Sequence, residues 1–195
     1  VPYPSPPRPT ASRAALAVLA AALLVACAHA PDAGAPAASS APATPYAGQQ
    51  ARPIKALSAT EQADLLAGRG MGLAKAAELN GYPGPLHVLE LAPKLALTPE
   101  QHARTQALFE SMQRDAIAAG RELVEAERAL DALFADRQVT PERLREALDR
   151  IGALQARLRD VHLAAHLEQT RLLTPQQAST YASLRGYGGA HSHRH

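Results

Sequence analysis

His162 and His166 stand four residues apart inside a helical pattern, so both imidazoles fall on one helix face. That spacing makes them a usable bidentate pair for Zn, Ni, Co or Cu. Two further residues could join them. Glu110 falls opposite residue 166 when the two long helical patterns are counted outward from a turn near Gln138, and His87 lies in a turn-rich segment that could fold over the same end. The same residues also admit a plainer role, with His162 packing at the edge of an apolar stripe and His166 hydrogen-bonding at the hairpin's open end. His191, His193 and His195 lie in a short polar tail, which could hold metals loosely or stay solvated. Catalysis is not expected, and no cofactor is required. Cys27 is the single cysteine, and no Ser-His-Asp arrangement has local context. Gly68, Gly70 and Gly72 follow no strand and fit no nucleotide-loop spacing.

Two long helices must position the histidine pair. The first is predicted over Pro99–Ala135. Its apolar stripe runs Leu108, Met112, Ala116, Ala119, Leu123, Ala126, Leu130 and Leu133, in steps of three and four. Phe109, Met112, Ile117 and Phe134 are the candidate contacts for an apolar client, and Phe109, Ile117, Val124 and Phe134 widen the stripe. The second is predicted over Pro141–Leu172, with Leu144, Leu148, Ile151, Leu154, Leu158, Val161 and Ala165 facing inward. Asp136-Arg137-Gln138-Val139 breaks the pattern between them, giving a long antiparallel hairpin. Leu97-Thr98-Pro99-Glu100-Gln101 opens the hairpin and Leu173-Thr174-Pro175-Gln176-Gln177 closes it. In each copy Thr caps a helix, Pro suits its first position, and Gln reaches back to complete a capping box. A last helix is predicted from Pro175 to near Arg185. Shorter helices are predicted from Ser58 to Leu66, from Met71 to Leu79 and from Leu86 to Leu91, wrapping the open end. The fold class is therefore all-α. The wide stripe on a thin hairpin leads us to expect a homodimer.

Hydrophobic residues make up 47% of the 195 residues but aromatic ones only 4%, which favours thin helices packed through Ala and Leu over a bulky core. Residues 1–27 read as an export signal. Arg8 and Arg13 precede an apolar run from Ala14 to Ala26, which ends in Leu24-Val25-Ala26-Cys27, a lipobox-like sequence. Cys27 is the expected lipidation site, which would place the chain in the periplasm on a membrane anchor, with the outer membrane favoured. Residues 28–56 are rich in Pro, Ala and Ser and read as a disordered tether. Residues 57–187 form the helical domain and 188–195 the tail. Removing Arg8 and Arg13 with the signal leaves 18 Lys and Arg against 18 Asp and Glu, so nothing argues for nucleic acid.

The two copies built on Leu97, Thr98 and Gln101 and on Leu173, Thr174 and Gln177, bracketing a helical hairpin in an exported chain, resemble the Spy/CpxP family of bacterial envelope proteins. His166-Leu167-Glu168 before the second copy is similar too. The run Asn80-Gly81-Tyr82-Pro83-Gly84-Pro85-Leu86-His87-Val88-Leu89 resembles the periplasmic heavy-metal sensor or Spy-like subgroup. The resemblance covers roughly residues 70–187. It implies an all-helical, cradle-shaped dimer in the periplasm. Such proteins act as ATP-independent holding chaperones for unfolded envelope proteins, as envelope-stress accessories with a membrane sensor or anti-sigma partner, or as metal sensors. Two departures stand out. Residues 98–172 carry 11 basic and 13 acidic residues, where the chaperone cradles are basic. The histidine pair that metal sensors carry before the first arm is not reproduced, and His87 stands alone there.

Overall fold

The computed structural model describes residues 44–187, and within them every regular element is a helix. Cys27, the export signal, the first part of the tether and the tail histidines lie outside the described residues. The helices are α1 (Ala59–Leu66), α2 (Lys75–Glu78), α3 (Pro85–Glu90), α4 (Ala92–Leu95), α5 (Pro99–Ala135), α6 (Pro141–Leu172) and α7 (Pro175–Leu184). None among the described residues is long and apolar enough to cross a membrane.

The two arms fall where the apolar stripes put them. α5 has 37 residues and α6 has 32, or about 55 and 48 Å at 1.5 Å per residue. Arg137, with φ 53, turns the chain between them, and the Arg143 guanidinium donates to Gln138 O at 2.9 Å across the turn. Ala116, Ala119, Leu123 and Ala126 of α5 pack against Ile151, Leu154 and Leu158 of α6 in one buried cluster. Alanine at three of the four α5 positions lets the rods approach closely, as the low aromatic content requires. The turn end is thin, and Phe134 and Leu148 are exposed there.

The extra width of the α5 stripe has a partner within the chain. α1 crosses α5 at Gly120, where a β-carbon would stand 2.2 Å from Leu65 O. Leu65 and Val124 share the main core cluster, and Gly68 sits against Ile117. The stripe's width, which suggested a second copy, is thus largely used by α1. The tether also ends earlier than Ala56. Ile54 is fully buried in that same cluster, and the Lys55 N–H and ammonium both donate to the Asp131 carboxylate, at 3.0 and 3.1 Å. A single apolar anchor and a charged clasp hold a Pro-rich strap to α5, where composition alone predicts disorder. Met71–Leu79 is helical only over Lys75–Glu78, because Met71 and Gly72 both take positive φ.

The repeated caps do more than start helices. Thr98 and Thr174 each form a complete capping box with Gln101 and Gln177. The two glutamine amides then exchange hydrogen bonds, Gln101 donating to Gln177 Oε1 at 2.9 Å and Gln177 donating to Gln101 Oε1 at 3.0 Å. Gln101 also donates to Leu172 O and Gln177 to Leu95 O. One reciprocal pair therefore ties the start of α5 to the end of α6 and the start of α7. Gln101→Ala and Gln177→Ala should each cost about 1–3 kcal/mol, because each strands a part-buried partner. The double variant should cost less than the sum by about 0.5–3 kcal/mol, since both act on one contact. Denaturant midpoints of the four proteins measure this coupling.

Candidate functional site

At the open end, α2 and α3 pack on α6, and α3 also packs on α5. The turn Tyr82-Pro83-Gly84-Pro85 joins α2 to α3, with Pro83 and Pro85 fully buried. Tyr82 O lies 2.8 Å from His166 Nδ1. A carbonyl can only accept, so Nδ1 carries a proton and Nε2 is the ring nitrogen left to act as a ligand. The ring packs against the bare face of Gly84, where a β-carbon would come within 2.9 Å of His166 Cε1 and Nε2. Only glycine leaves that space.

Glu78 of α2 organises the surroundings. Its Oε1 accepts from Tyr181 Oη at 2.5 Å and lies 3.5 Å from Arg185 Nε. Its Oε2 accepts from the Gly84 N–H at 3.2 Å and lies 3.7 Å from His166 Nδ1. Burial, reinforced by the Glu78 carboxylate, pushes the Tyr181 hydroxyl far above its ordinary range, so it stays a donor. The network joins α2, the turn, α6 and the end of α7 through groups as far apart in sequence as Glu78 and Arg185, 107 positions.

His162 lies one turn earlier on α6. It is 3% exposed, and its Nε2 has no hydrogen-bond partner. Burial holds its imidazole below the ordinary histidine value, and the neighbouring His166 adds to this. It is therefore neutral at pH 7, with a nitrogen lone pair ready for a ligand. The sign for stability follows. The unfolded chain protonates residue 162 at the ordinary value, about 6.5, while the folded chain resists it, so this residue costs stability as pH falls below about 6.5. Thermal midpoints at pH 7.5 and 5.5 should therefore drop more for the native chain than for His162→Gln.

Both imidazoles line a cavity of about 550 Å³ with Met71, Leu79, Leu86, Phe109 and Met112. His87 is also in the lining, with its Nδ1 2.9 Å from Glu90. Five of the residues singled out by sequence thus meet here: His162, His166, His87, Phe109 and Met112. Three do not. Glu110 lies outside the cavity, exposed, and accepts from the Gln106 amide at 2.8 Å. Ile117 packs against Gly68, and Phe134 is exposed near the distal turn. Glu78, Gly84, Tyr181 and Arg185 were not foreseen. Gly84 and Glu78 carry no local signal of their role, because their partners come from α6 and α7.

The site is defined by an all-helical hairpin whose open end brings two imidazoles, one helical turn apart, to the wall of a largely apolar cavity. The chain belongs to the heavy-metal resistance family, whose model matches residues 80–179, just over half of the 195 residues. No curated protein and no solved structure matches it. The residues suit a metal ion in part. The unpartnered Nε2 of His162 and the free Nε2 of His166 are nitrogen donors, and the Met71 and Met112 thioethers share their cavity, a set suited to softer transition metals rather than Mg or Ca. The His166 Nδ1–H to carbonyl bond is the usual outer partner of a metal-bound imidazole. Among the described residues no three His, Cys, Asp or Glu side chains gather to hold an ion.

Proposed function

We propose that the protein is an exported, periplasm-facing metal-binding accessory or sensor of heavy-metal resistance, which takes up a transition-metal ion through His162 and His166. The observation that carries this is the pair of α6 imidazoles opening into one cavity, with the buried His162 Nε2 unpartnered. A metal ion bound there would supply a charge and fixed coordination directions. Burial holds the His162 ring neutral, and Tyr82 O fixes the proton of His166 on Nδ1. Glu78 anchors the turn over the site. No reaction centre is part of this proposal. The export signal and Cys27 lipobox support the periplasmic side, and the paired Leu-Thr-Pro caps support a Spy/CpxP-type member of the family. Isothermal titration of Zn, Ni, Co and Cu into the full chain tests it. The tightest site should vanish in His162→Ala/His166→Ala, and unchanged heats would overturn the proposal.

A second reading has its own support. Met71, Leu79 and Leu86 are exposed around the same cavity and offer an apolar rim to unfolded envelope proteins, as in a holding chaperone. A holdase would suppress aggregation of a denatured test protein at near-stoichiometric ratio without added metal. A metal sensor would leave that aggregation unchanged and instead gain stability with a specific ion.

A further inference from the structure

The sequence has two methionines, Met71 and Met112, and both line the cavity that His162 and His166 line. They come from different elements. Met71 lies in the glycine-rich loop between α1 and α2, and Met112 lies on α5. The loop reaches the histidines directly, because a β-carbon built at Gly70 would stand 4.0 Å from His162 Cε1 and Nδ1. α5 reaches them through the register of the hairpin. The Gln169 amide donates to Thr105 Oγ1 at 3.2 Å on one side, and the Arg157 guanidinium donates to Glu122 at 3.0 Å on the other. Those two contacts put Met112 level with the interval between His162 and His166. Two thioethers and two imidazoles therefore share one cavity of about 550 Å³, and the Nε2 of the buried His162 has no partner there.

We infer that this cavity selects Cu(I) over divalent ions, with Met71 and Met112 as sulfur ligands beside His162 and His166. The inference rests on the metal-binding function proposed above and names the ion. Thioether sulfur is a soft donor that suits Cu(I), whereas Zn and Ni are served by imidazole. Thioethers carry no charge, so they offset none of the ion's own. An ion gives up hydration on entering the cavity, at a cost that rises steeply with its charge. The charged part of the wall acts in the same direction. Arg69 and Lys75 stand there against the one carboxylate of the lining, Glu78, whose oxygens already accept from Tyr181 and Gly84. Coulomb repulsion scales with the charge of the ion, so a monocation meets half of what a dication meets. Met71 is exposed and Met112 is half-buried, which sets one sulfur where an ion arrives and the other deeper. The ion binds and leaves as Cu(I), so no electron is transferred.

Competition with bicinchoninate, run without oxygen, measures Cu(I) affinity, and calorimetry measures zinc, in four full-length proteins. All carry Cys27→Ser, which removes the one other sulfur of the sequence. The first has no further change, the second adds Met71→Leu, the third Met71→Leu/Met112→Leu, and the fourth His162→Ala/His166→Ala. Leucine keeps the apolarity and nearly the volume of methionine, so packing is preserved while the sulfurs are lost. The double methionine variant should bind Cu(I) more than about tenfold more weakly, since loss of even an outer partner of a ligand costs that much, with zinc unchanged. Met71→Leu alone, at an exposed position that the fold does not depend on, should show part of the Cu(I) loss. The histidine variant should lose the tight site for both ions. Unchanged Cu(I) affinity in either leucine variant would overturn the copper inference and leave the histidine proposal standing. Equal losses of Cu(I) and zinc in the leucine variants would overturn it as well, because removal of a soft donor would not then be the cause. Native affinity for both ions in the histidine variant would overturn both readings.

Discussion

Gly120→Ala is expected to destabilise the protein by about 2 kcal/mol and to lower its thermal midpoint by roughly 4–8 °C. Helix propensity alone predicts the opposite, since Ala is favoured over Gly by about 1 kcal/mol in a helix interior. The new methyl would meet Leu65 O at 2.2 Å and Leu65 C at 2.8 Å. Both are backbone atoms, so no rotamer change relieves the contact, and α1 must lift from α5. Gly152 of α6 is the control, because nothing stands within 4 Å of a β-carbon built there. Gly152→Ala should raise stability by about 1 kcal/mol. Opposite signs at two mid-helix glycines, read from denaturant or thermal midpoints, would establish that α1 docks where described. Equal signs would refute it.

Glu78→Ala should cost about 3 kcal/mol, because it strands the buried Tyr181 hydroxyl and the Gly84 N–H together and removes a charged acceptor from each. Glu78→Gln keeps an oxygen for one of those donors and should lose less. Tyr181→Phe removes a donor along with its bond, and on the Glu78→Ala background it should cost little more. A drop in urea midpoint without a change of slope is the signature of a local network lost from an intact fold. A neutral Glu78→Ala would mean that the turn over His166 is held by packing of Pro83 and Pro85 alone.

The parts of this fold legible in the sequence are those governed by local chemistry. The Thr98 and Thr174 caps, the length of α5 and α6, the Arg137 turn and the end of α7 near Arg185 follow from capping residues and from apolar steps of three and four. The pairing of Gln101 with Gln177 does not, although both were visible as capping residues, because exchange of their amides needs the hairpin to bring positions 76 apart into contact. Ile54 illustrates the same limit. Five prolines in residues 28–56 argue for a tether, yet one isoleucine finds a slot on α5 and orders the segment around it. A mid-helix glycine such as Gly120 can mark the close approach of a neighbour, but nothing local identifies α1 as that neighbour. At the site, His162 and His166 were marked by their spacing. Counting residues across the hairpin selected Glu110 as their companion, where the structure brings Phe109 and Met112 instead. The count fixes the level along α5 but not which face turns inward.

The central claim is that two imidazoles one helical turn apart line one cavity, where they hold a metal ion. Long-range proton–nitrogen NMR of the histidine rings, followed during addition of one equivalent of zinc, tests it most directly. The account predicts that the Nε2 signals of His162 and His166 both move at that first equivalent, while His166 Nδ1 stays protonated against Tyr82 O. Unchanged spectra for both rings, with zinc shifting only His191, His193 and His195, would contradict it.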